Sequence, residues 1–363
     1  MIRKFFGTTI IAFVIMPTLF AQDSTKPFTI SGSVDVYYRV GLSGNAKGSE
    51  ALNNFTSFTN SNNTFQLGMA SIKAQYTSGK VGAVIDLGFG KRAEEFAYAD
   101  EGTLQSVKQA YLFYAPSDKV KFTFGKFGTH IGYELLDPQL NKNYSMSYMF
   151  TNGPFSHTGI KADFTLGGGM GLMIGVANPI DVTAPANGSD PKTLIAQVSS
   201  VGSKYSVYLN YAGYFGGKEY NPDASSLNQI GLTASATLSD KFSLGYDGTV
   251  QFVKQEDYLG PGKPKTTNWW GSALYANLTA TDKLGLTLRA EYFGDKKYAI
   301  KTPGSDIFEA TLSGNLKVGG FTFIPELRLD HAKDKVFGKF INTTTGFESQ
   351  TAFSAILAAI YSF

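Results

Sequence analysis

The strongest constraint on the fold is a period of two in hydrophobicity, which runs along almost the whole chain from Phe28 onward. In the segments 28–40, 81–89, 284–292 and 321–330, apolar side chains largely alternate with polar or small ones. Each segment is about ten residues long, the length that a tilted strand needs to cross a bilayer with one face toward lipid. The pattern predicts an all-β fold, a transmembrane antiparallel β-barrel.

The connections between these segments alternate in length. Short turns are predicted at Ser78-Gly79, Ser117-Asp118-Lys119, 167–169, Gly202-Ser203, Ser239-Asp240-Lys241, Thr281-Asp282-Lys283 and Gly319-Gly320. Long loops are predicted between them at 43–62, 93–103, 129–155, 178–191, 215–225, 255–267, 294–305 and 332–348. These connections predict about sixteen strands, with short periplasmic turns, long extracellular loops and both termini at the periplasmic rim.

A β-sandwich is the alternative fold with the same alternation. It favours strands of about five to six residues, which are shorter than the segments found here. Two predicted strands are less regular than the rest. In 63–77 the alternation changes phase near Ala70, as a β-bulge would cause, and the two faces of 104–115 are hard to assign.

The N-terminus has the organisation of a secretory signal peptide. Arg3 and Lys4 precede an uncharged apolar run, and small residues around Ala21 provide a cleavage point. We therefore expect a signal peptide over 1–21 and a barrel over 22–363. The absence of cysteine excludes disulfides, and the 32 basic and 29 acidic residues are too evenly balanced to indicate a nucleic-acid partner.

Aromatic residues and the C-terminus favour the cell outer membrane of a Gram-negative bacterium. Aromatic side chains border the predicted short turns at Tyr76, Tyr114, Phe122, Phe164, Tyr205, Phe242 and Phe321, as in a girdle at the lipid headgroups. The alternation of the last strand ends in phase at Phe363. Such an ending resembles the signal that barrel-assembly machinery recognises, so we expect that machinery and outer-membrane lipids as partners.

Several stretches carry a family resemblance. They are SGSVDVYYR at 31–39, GKVGAVIDLGFGKRAEE at 79–95 and GKFGTHIGYELLDPQLNKNYSMSYMFTNGPFSHTGIKADF at 125–164. Together with the turn 115–119, they resemble the OmpL-like family of outer-membrane β-barrel porins over nearly the whole mature chain. The resemblance implies a channel, but it supplies no functional residues to carry over.

The predicted pore-lining charges lie on the polar faces of the strands and in the longest loop, 129–155. By analogy with general porins this loop folds into the lumen and narrows it, and the alternative is a surface loop that caps the barrel. The candidate residues are Asp35, Arg39, Asp86, Glu134, Asp137, Lys142, Lys161, Asp163, Arg289, Glu291, Glu326, Arg328 and Asp330. Acidic residues outnumber basic ones on the predicted lumen faces of the strands, which favours a slight preference for cations.

These features predict a water-filled porin for passive diffusion of small polar solutes or ions, as a possible homotrimer, without cofactors. An outer-membrane lipase or protease and a structural or adhesive barrel with a blocked lumen are the alternatives. His130, His157 and His331 lack the spacing of a metal site. Ser156 and His157 point to opposite faces of a strand, so they do not form a nucleophile and base.

Overall fold

The computed structural model describes residues 27–43, 53–97, 100–185, 191–215, 224–255, 265–295, 304–341 and 344–363. The expected signal peptide lies outside these residues, as do parts of seven predicted long loops. None of the described helices is long and apolar enough to span a membrane.

Sixteen of the described strands pair in one closed antiparallel ring. They are β1 (Phe28–Gly41), β2 (Thr64–Ser78), β3 (Val81–Phe89), β4 (Val107–Ser117), β5 (Val120–Gly128), β6 (Ser156–Gly167), β7 (Met170–Ala177), β8 (Thr193–Val201), β9 (Tyr205–Phe215), β10 (Ala224–Thr237), β11 (Phe242–Gln255), β12 (Lys265–Thr279), β13 (Leu284–Gly294), β14 (Ile307–Val318), β15 (Phe321–Ala332) and β18 (Thr351–Ser362). The predicted fold class and strand number are confirmed. The connection before β18 contains a hairpin of β16 (Phe337–Ile341) and β17 (Thr344–Ser349).

The ring closes where the first strand meets the last. β1 pairs with β18, and the backbone N–H groups of Gly32 and Phe363 each donate to the other residue's carbonyl at 3.0 Å. Every barrel strand therefore has two neighbours, which satisfies the backbone groups that a bilayer cannot hydrate. Two short helices, α1 (Lys91–Phe96) and α2 (Tyr148–Asn152), lie in the loops after β3 and β5.

The predicted alternation corresponds to the two sides of the barrel. On β1, Val34 and Val36 are 44% and 48% exposed on the lipid side, whereas Asp35 and Tyr37 are 0% and 2% exposed on the lumen side. Two of the predicted girdle residues, Phe164 and Phe242, are partly buried. The other five are exposed: Tyr76, Tyr114, Phe122, Tyr205 and Phe321. The short turns and the bounds of the loop 129–155 agree with the strands.

The two irregular strands differ slightly from their predicted bounds. The pairing of β1 with β2 shifts between Asp35 and Val36, which face Met69 and Leu67, so Gly68 is the bulged residue close to the expected position near Ala70. The predicted strand 104–115 is instead β4, because a 3₁₀ turn at Gly102–Ser106 takes up its first residues. The bulge brings Gly68 next to the Asp35 carboxylate in the lumen.

Candidate functional site

The loop 129–155, here called the inserted loop, lies inside the barrel. It leaves β5 and returns to β6, yet its side chains and backbone bond to β1, β13, β14 and β15 on the opposite side of the ring. Residues 143–150 of this loop are each at most 8% exposed. The expectation that the loop folds into the lumen is confirmed by these contacts.

Arg289 on β13 is the centre of the contacts between wall and loop. Its guanidinium pairs with Glu309 of β14 at 2.9 Å and with Glu134 of the loop at 2.5 Å. It also donates to the backbone carbonyl of Ser145 at 2.7 Å. Arg289 is fully buried. A planar guanidinium offers five donors, so a single side chain joins two strands to two parts of the loop.

Carboxylates of the wall accept from the backbone N–H groups of the loop. Glu291 accepts from the first two N–H groups of α2, those of Tyr148 and Met149, both at 2.8 Å. Glu326 accepts from Tyr144 at 2.7 Å and from Ser145 at 3.0 Å. The first N–H groups of a helix have no partner within it, and the helix end favours a negative charge. These two carboxylates therefore fix the backbone of the loop.

Two tyrosines of the loop reach further wall carboxylates. The Tyr144 hydroxyl donates to Asp35, and the Tyr148 hydroxyl donates to Asp330 at 2.9 Å. Arg328 pairs with Asp330 at 2.8 Å and lies over the Tyr148 ring, 5.3 Å from its centroid. The tyrosines are buried, so each ring fills the lumen while its hydroxyl satisfies a buried charge.

The bulge in β2 makes room for one of these contacts. A Cβ atom at Gly68 would overlap the Asp35 carboxylate and lie 2.7 Å from the Tyr144 hydroxyl oxygen. Glycine is thus required at this point by close approach. The bulge of β2, the Asp35 carboxylate of the wall and the Tyr144 hydroxyl of the loop therefore meet at Gly68.

The other predicted residues divide between paired and accessible positions. Lys108 joins Asp86 to Asp137 of the loop at 2.9 and 2.5 Å, and Lys161 pairs with Asp163 at 3.1 Å. Arg39 donates to carbonyls of the loop between β1 and β2, at Ser61 and Asn53. Of the thirteen candidates, nine are at most 5% exposed, and they contact the protein more than water: Asp35, Arg39, Asp86, Glu134, Arg289, Glu291, Glu326, Arg328 and Asp330.

Sequence reasoning missed two cations that bind the loop. Arg92 on α1 donates to the carbonyls of Leu136 and Tyr144 at 3.1 and 3.3 Å, and Lys108 lies on the strand whose faces were hard to assign. The alternation of Ala110, Leu112 and Tyr114, which are exposed on the lipid side, would place Lys108 on that side too if it were extended backwards. A bulge opposite Asp86 and Leu87, which pair with Gln109 and Val107, turns Lys108 into the lumen instead. Nothing in the sequence pattern places Arg92, because it lies on a short helix in a connection.

Aromatic packing covers the inserted loop from the side of the long loops. Phe58, Phe96, Met146, Phe150 and Phe155 form one buried cluster. Phe58 belongs to the connection between β1 and β2, and Phe96 to α1. The cluster thus joins three connections above the lumen contacts and restricts movement of the loop.

A cavity of about 450 Å³ lies on the other side of the inserted loop, toward the short turns. Hydroxyl and amide side chains form much of its wall, at Ser206, Tyr208, Thr233, Ser235, Ser243, Asn277, Asn315 and Thr322. The loop contributes Gln139, Lys142 and Asn143. Lys142 is the exposed one among the predicted constriction residues of the loop, since Glu134 is buried and Asp137 is partly buried.

The chain matches the family described as "Putative beta-barrel porin-2, OmpL-like" over residues 27–363. A comparison with curated proteins finds no match.

Solved structures share the fold at low identity. The outer membrane channel DcaP of Acinetobacter baumannii is similar with a TM-score of 0.62 and 14% identity, covering 93% of this chain and 97% of that one. OprB of Pseudomonas putida has a TM-score of 0.62 and 13% identity over 93% and 94% of the two chains. OmpT of Vibrio cholerae, solved in a trimer form, has a TM-score of 0.58 and 12% identity over 93% and 99%.

We predict that Gly68→Ala loosens the inserted loop. The added methyl group displaces the Asp35 carboxylate and breaks its bond to Tyr144, which leaves a buried charge poorly satisfied at a cost of about 1–3 kcal/mol. The folded band on an unboiled SDS gel should convert to the unfolded band at a lower temperature. Gly231→Ala is the control, because its Cβ would meet Ile131 and Thr249 at 3.5 Å, an ordinary contact. Equal melting of both variants would contradict the role of Gly68.

Proposed function

The chain belongs to the OmpL-like family of β-barrel porins and forms an outer-membrane channel for passive diffusion, and from this premise we propose that the inserted loop sets the size of the solutes that pass. The observation that supports this is the set of buried bonds between the loop and four wall strands, with Arg289 at its centre. A loop held in this way narrows the lumen, because it is bonded to the wall and occupies part of the space inside the barrel.

The solutes are small and polar, because hydroxyl and amide side chains form part of the wall of the cavity beside the loop. Its hydroxyl and amide groups offer both donors and acceptors, which suits molecules that hydrogen-bond through more than one group. Each such contact is weak and exchangeable with water. Passage requires binding that is weak enough for release, so this wall favours diffusion over capture.

The thirteen candidate residues take two roles in this proposal. Those that are buried against the loop hold the constriction in place, as Glu291 and Glu326 do through backbone N–H groups. Lys142, Lys161 and Asp163 are the more accessible ones and act on passing solutes through their charge. Substitutions in the first group therefore alter pore size, and those in the second alter selectivity.

The channel has no catalytic role in this proposal. The described histidine contacts support that: His157 bonds to Thr129 at 3.1 Å, His130 to the Tyr211 carbonyl at 3.0 Å and His331 to Thr351 at 2.8 Å. Within the described ranges no histidine is hydrogen-bonded to a carboxylate that would orient it as a base. The arrangement that an outer-membrane hydrolase needs is therefore not supported.

Assembly and processing are further parts of the proposal. The signal peptide is cleaved after Ala21, Phe363 at the ring closure is presented to barrel-assembly machinery, and the mature barrel associates as a homotrimer among outer-membrane lipids. The trimer form of the structurally similar OmpT supports association as a homotrimer by analogy.

We predict that the protein purified from outer membranes has an intact mass equal to that of the chain from Gln22 to Phe363. A mass that includes Met1 would contradict cleavage.

We predict that shortening the inserted loop widens the channel. Replacing 139–147 with a short Gly-Ser link removes the loop partners of Asp35 and Glu326 and lets water hydrate these carboxylates. Single-channel conductance in planar bilayers should rise, and proteoliposomes should admit larger sugars. The same replacement in the connection 256–264 is the control for loop shortening. Unchanged conductance in a variant that keeps the heat-modifiable folded band would mean that another element defines the pore.

A further inference from the structure

The lumen-side carboxylates of the strands are occupied by protein partners. Each has at least one bond from an arginine, a lysine, a tyrosine or a backbone N–H group: Asp35, Asp86, Asp163, Asp247, Glu291, Glu309, Glu326 and Asp330. All but Asp163 are at most 4% exposed. Counting acidic residues on the lumen faces therefore overstates the negative charge that a solute meets.

Two lysines differ from these buried carboxylates, because their side chains are accessible to water. Lys142 of the inserted loop and Lys317 of β14 are exposed, and both line the cavity. In the part of the chain that the structure describes, neither forms an ion pair. Desolvation of its ammonium group and, to a smaller extent, the nearby charge of Lys317 lower the pKa of Lys142.

The backbone holds these lysines on the same side of the cavity. Asn315 lies two residues before Lys317 on the same face of β14, and its side chain donates to the Lys142 carbonyl at 2.8 Å. Asn143 donates to Ser313, also on that face, at 2.7 Å. The loop is thus fixed along β14, with the Lys142 carbonyl bonded to the residue two positions before Lys317.

Carboxylates elsewhere on the cavity wall do not cancel this charge. Glu134 is buried and paired with Arg289. Asp240 and Asp282 lie in short turns, where Lys241 and Lys283 follow them directly. Each turn is therefore close to neutral, and Lys142 and Lys317 remain as the excess charge of the cavity.

We propose that the channel prefers small anions, and that Lys142 and Lys317 form the site where carboxylate or phosphate groups of a solute are attracted as they pass the inserted loop. This inference rests on the proposed channel function and names its solute class. It reverses the slight cation preference expected from the sequence, since the wall carboxylates that led to that expectation are buried in bonds.

The test is the reversal potential of the purified full mature protein in planar bilayers across a KCl gradient, repeated with potassium acetate. The wild-type channel should pass chloride and acetate more readily than potassium. The double variant Lys142→Glu, Lys317→Glu should lower the anion-to-cation permeability ratio by at least about threefold near 0.1 M salt, where charges act over about 10 Å. The double variant Lys119→Glu, Lys204→Glu is the charge-matched control, because neither of these exposed turn residues lines the cavity.

The outcomes separate this inference from the proposal on which it rests. A conducting wild-type channel that prefers potassium would overturn the anion site and leave the porin function intact. So would a Lys142→Glu, Lys317→Glu variant with the same permeability ratio as the Lys119→Glu, Lys204→Glu control. A correctly folded protein that conducts no ions would contradict the channel function itself. Folding of each variant is checked by the shift between unboiled and boiled bands, so loss of current through misfolding is recognised.

Discussion

Charged side chains that point into the lumen must be solvated by water or by other protein groups, and the rest of the structure depends on how this barrel meets that constraint. An unpaired buried charge is costly, and breaking a buried pair costs about 3–5 kcal/mol. Arg289 shows the solution, because strand and loop carboxylates together surround its guanidinium. The inserted loop is therefore the counterpart of the wall charges, and the wall charges determine where the loop lies.

This arrangement changes what the wall charges do. In an open lumen Glu291 and Glu326 would attract passing cations, but here their oxygens accept backbone N–H groups of the loop. They become structural, and the electrostatics of the passage depends on the lysines that remain accessible, Lys142 and Lys317. The aromatic cluster around Phe58 and Phe150 supports the same loop from the opposite side.

The sequence was sufficient to predict the barrel, because local patterns in the chain encode its strands and turns. Alternation assigns the faces of a strand, and turn residues mark its ends, so the bounds of the inserted loop agree with the strands on either side. The bulge at Gly68 was also visible as a change of phase close to it.

The site was less predictable because its contacts join distant parts of the chain. Alternation tells which way Asp35 points but not what covers it, and its partner Tyr144 is 109 residues away. That pairing exists only once the ring has closed and the loop has entered it. For the same reason a count of charges does not show which carboxylates are buried, since burial of a carboxylate depends on the loop and not on its own strand.

The position of the inserted loop against β14 is the central claim, and cysteine crosslinking tests it most directly. The chain has no native cysteine, and the side chains of Asn143 and Ser313 are in contact at 2.7 Å. Asn143→Cys combined with Ser313→Cys should form a disulfide, or react with a short thiol crosslinker, in intact outer membranes. Asn143→Cys combined with Thr249→Cys on β11 should not. A folded protein in which the first pair stays uncrosslinked, or in which both pairs react equally, would contradict a loop fixed to this wall.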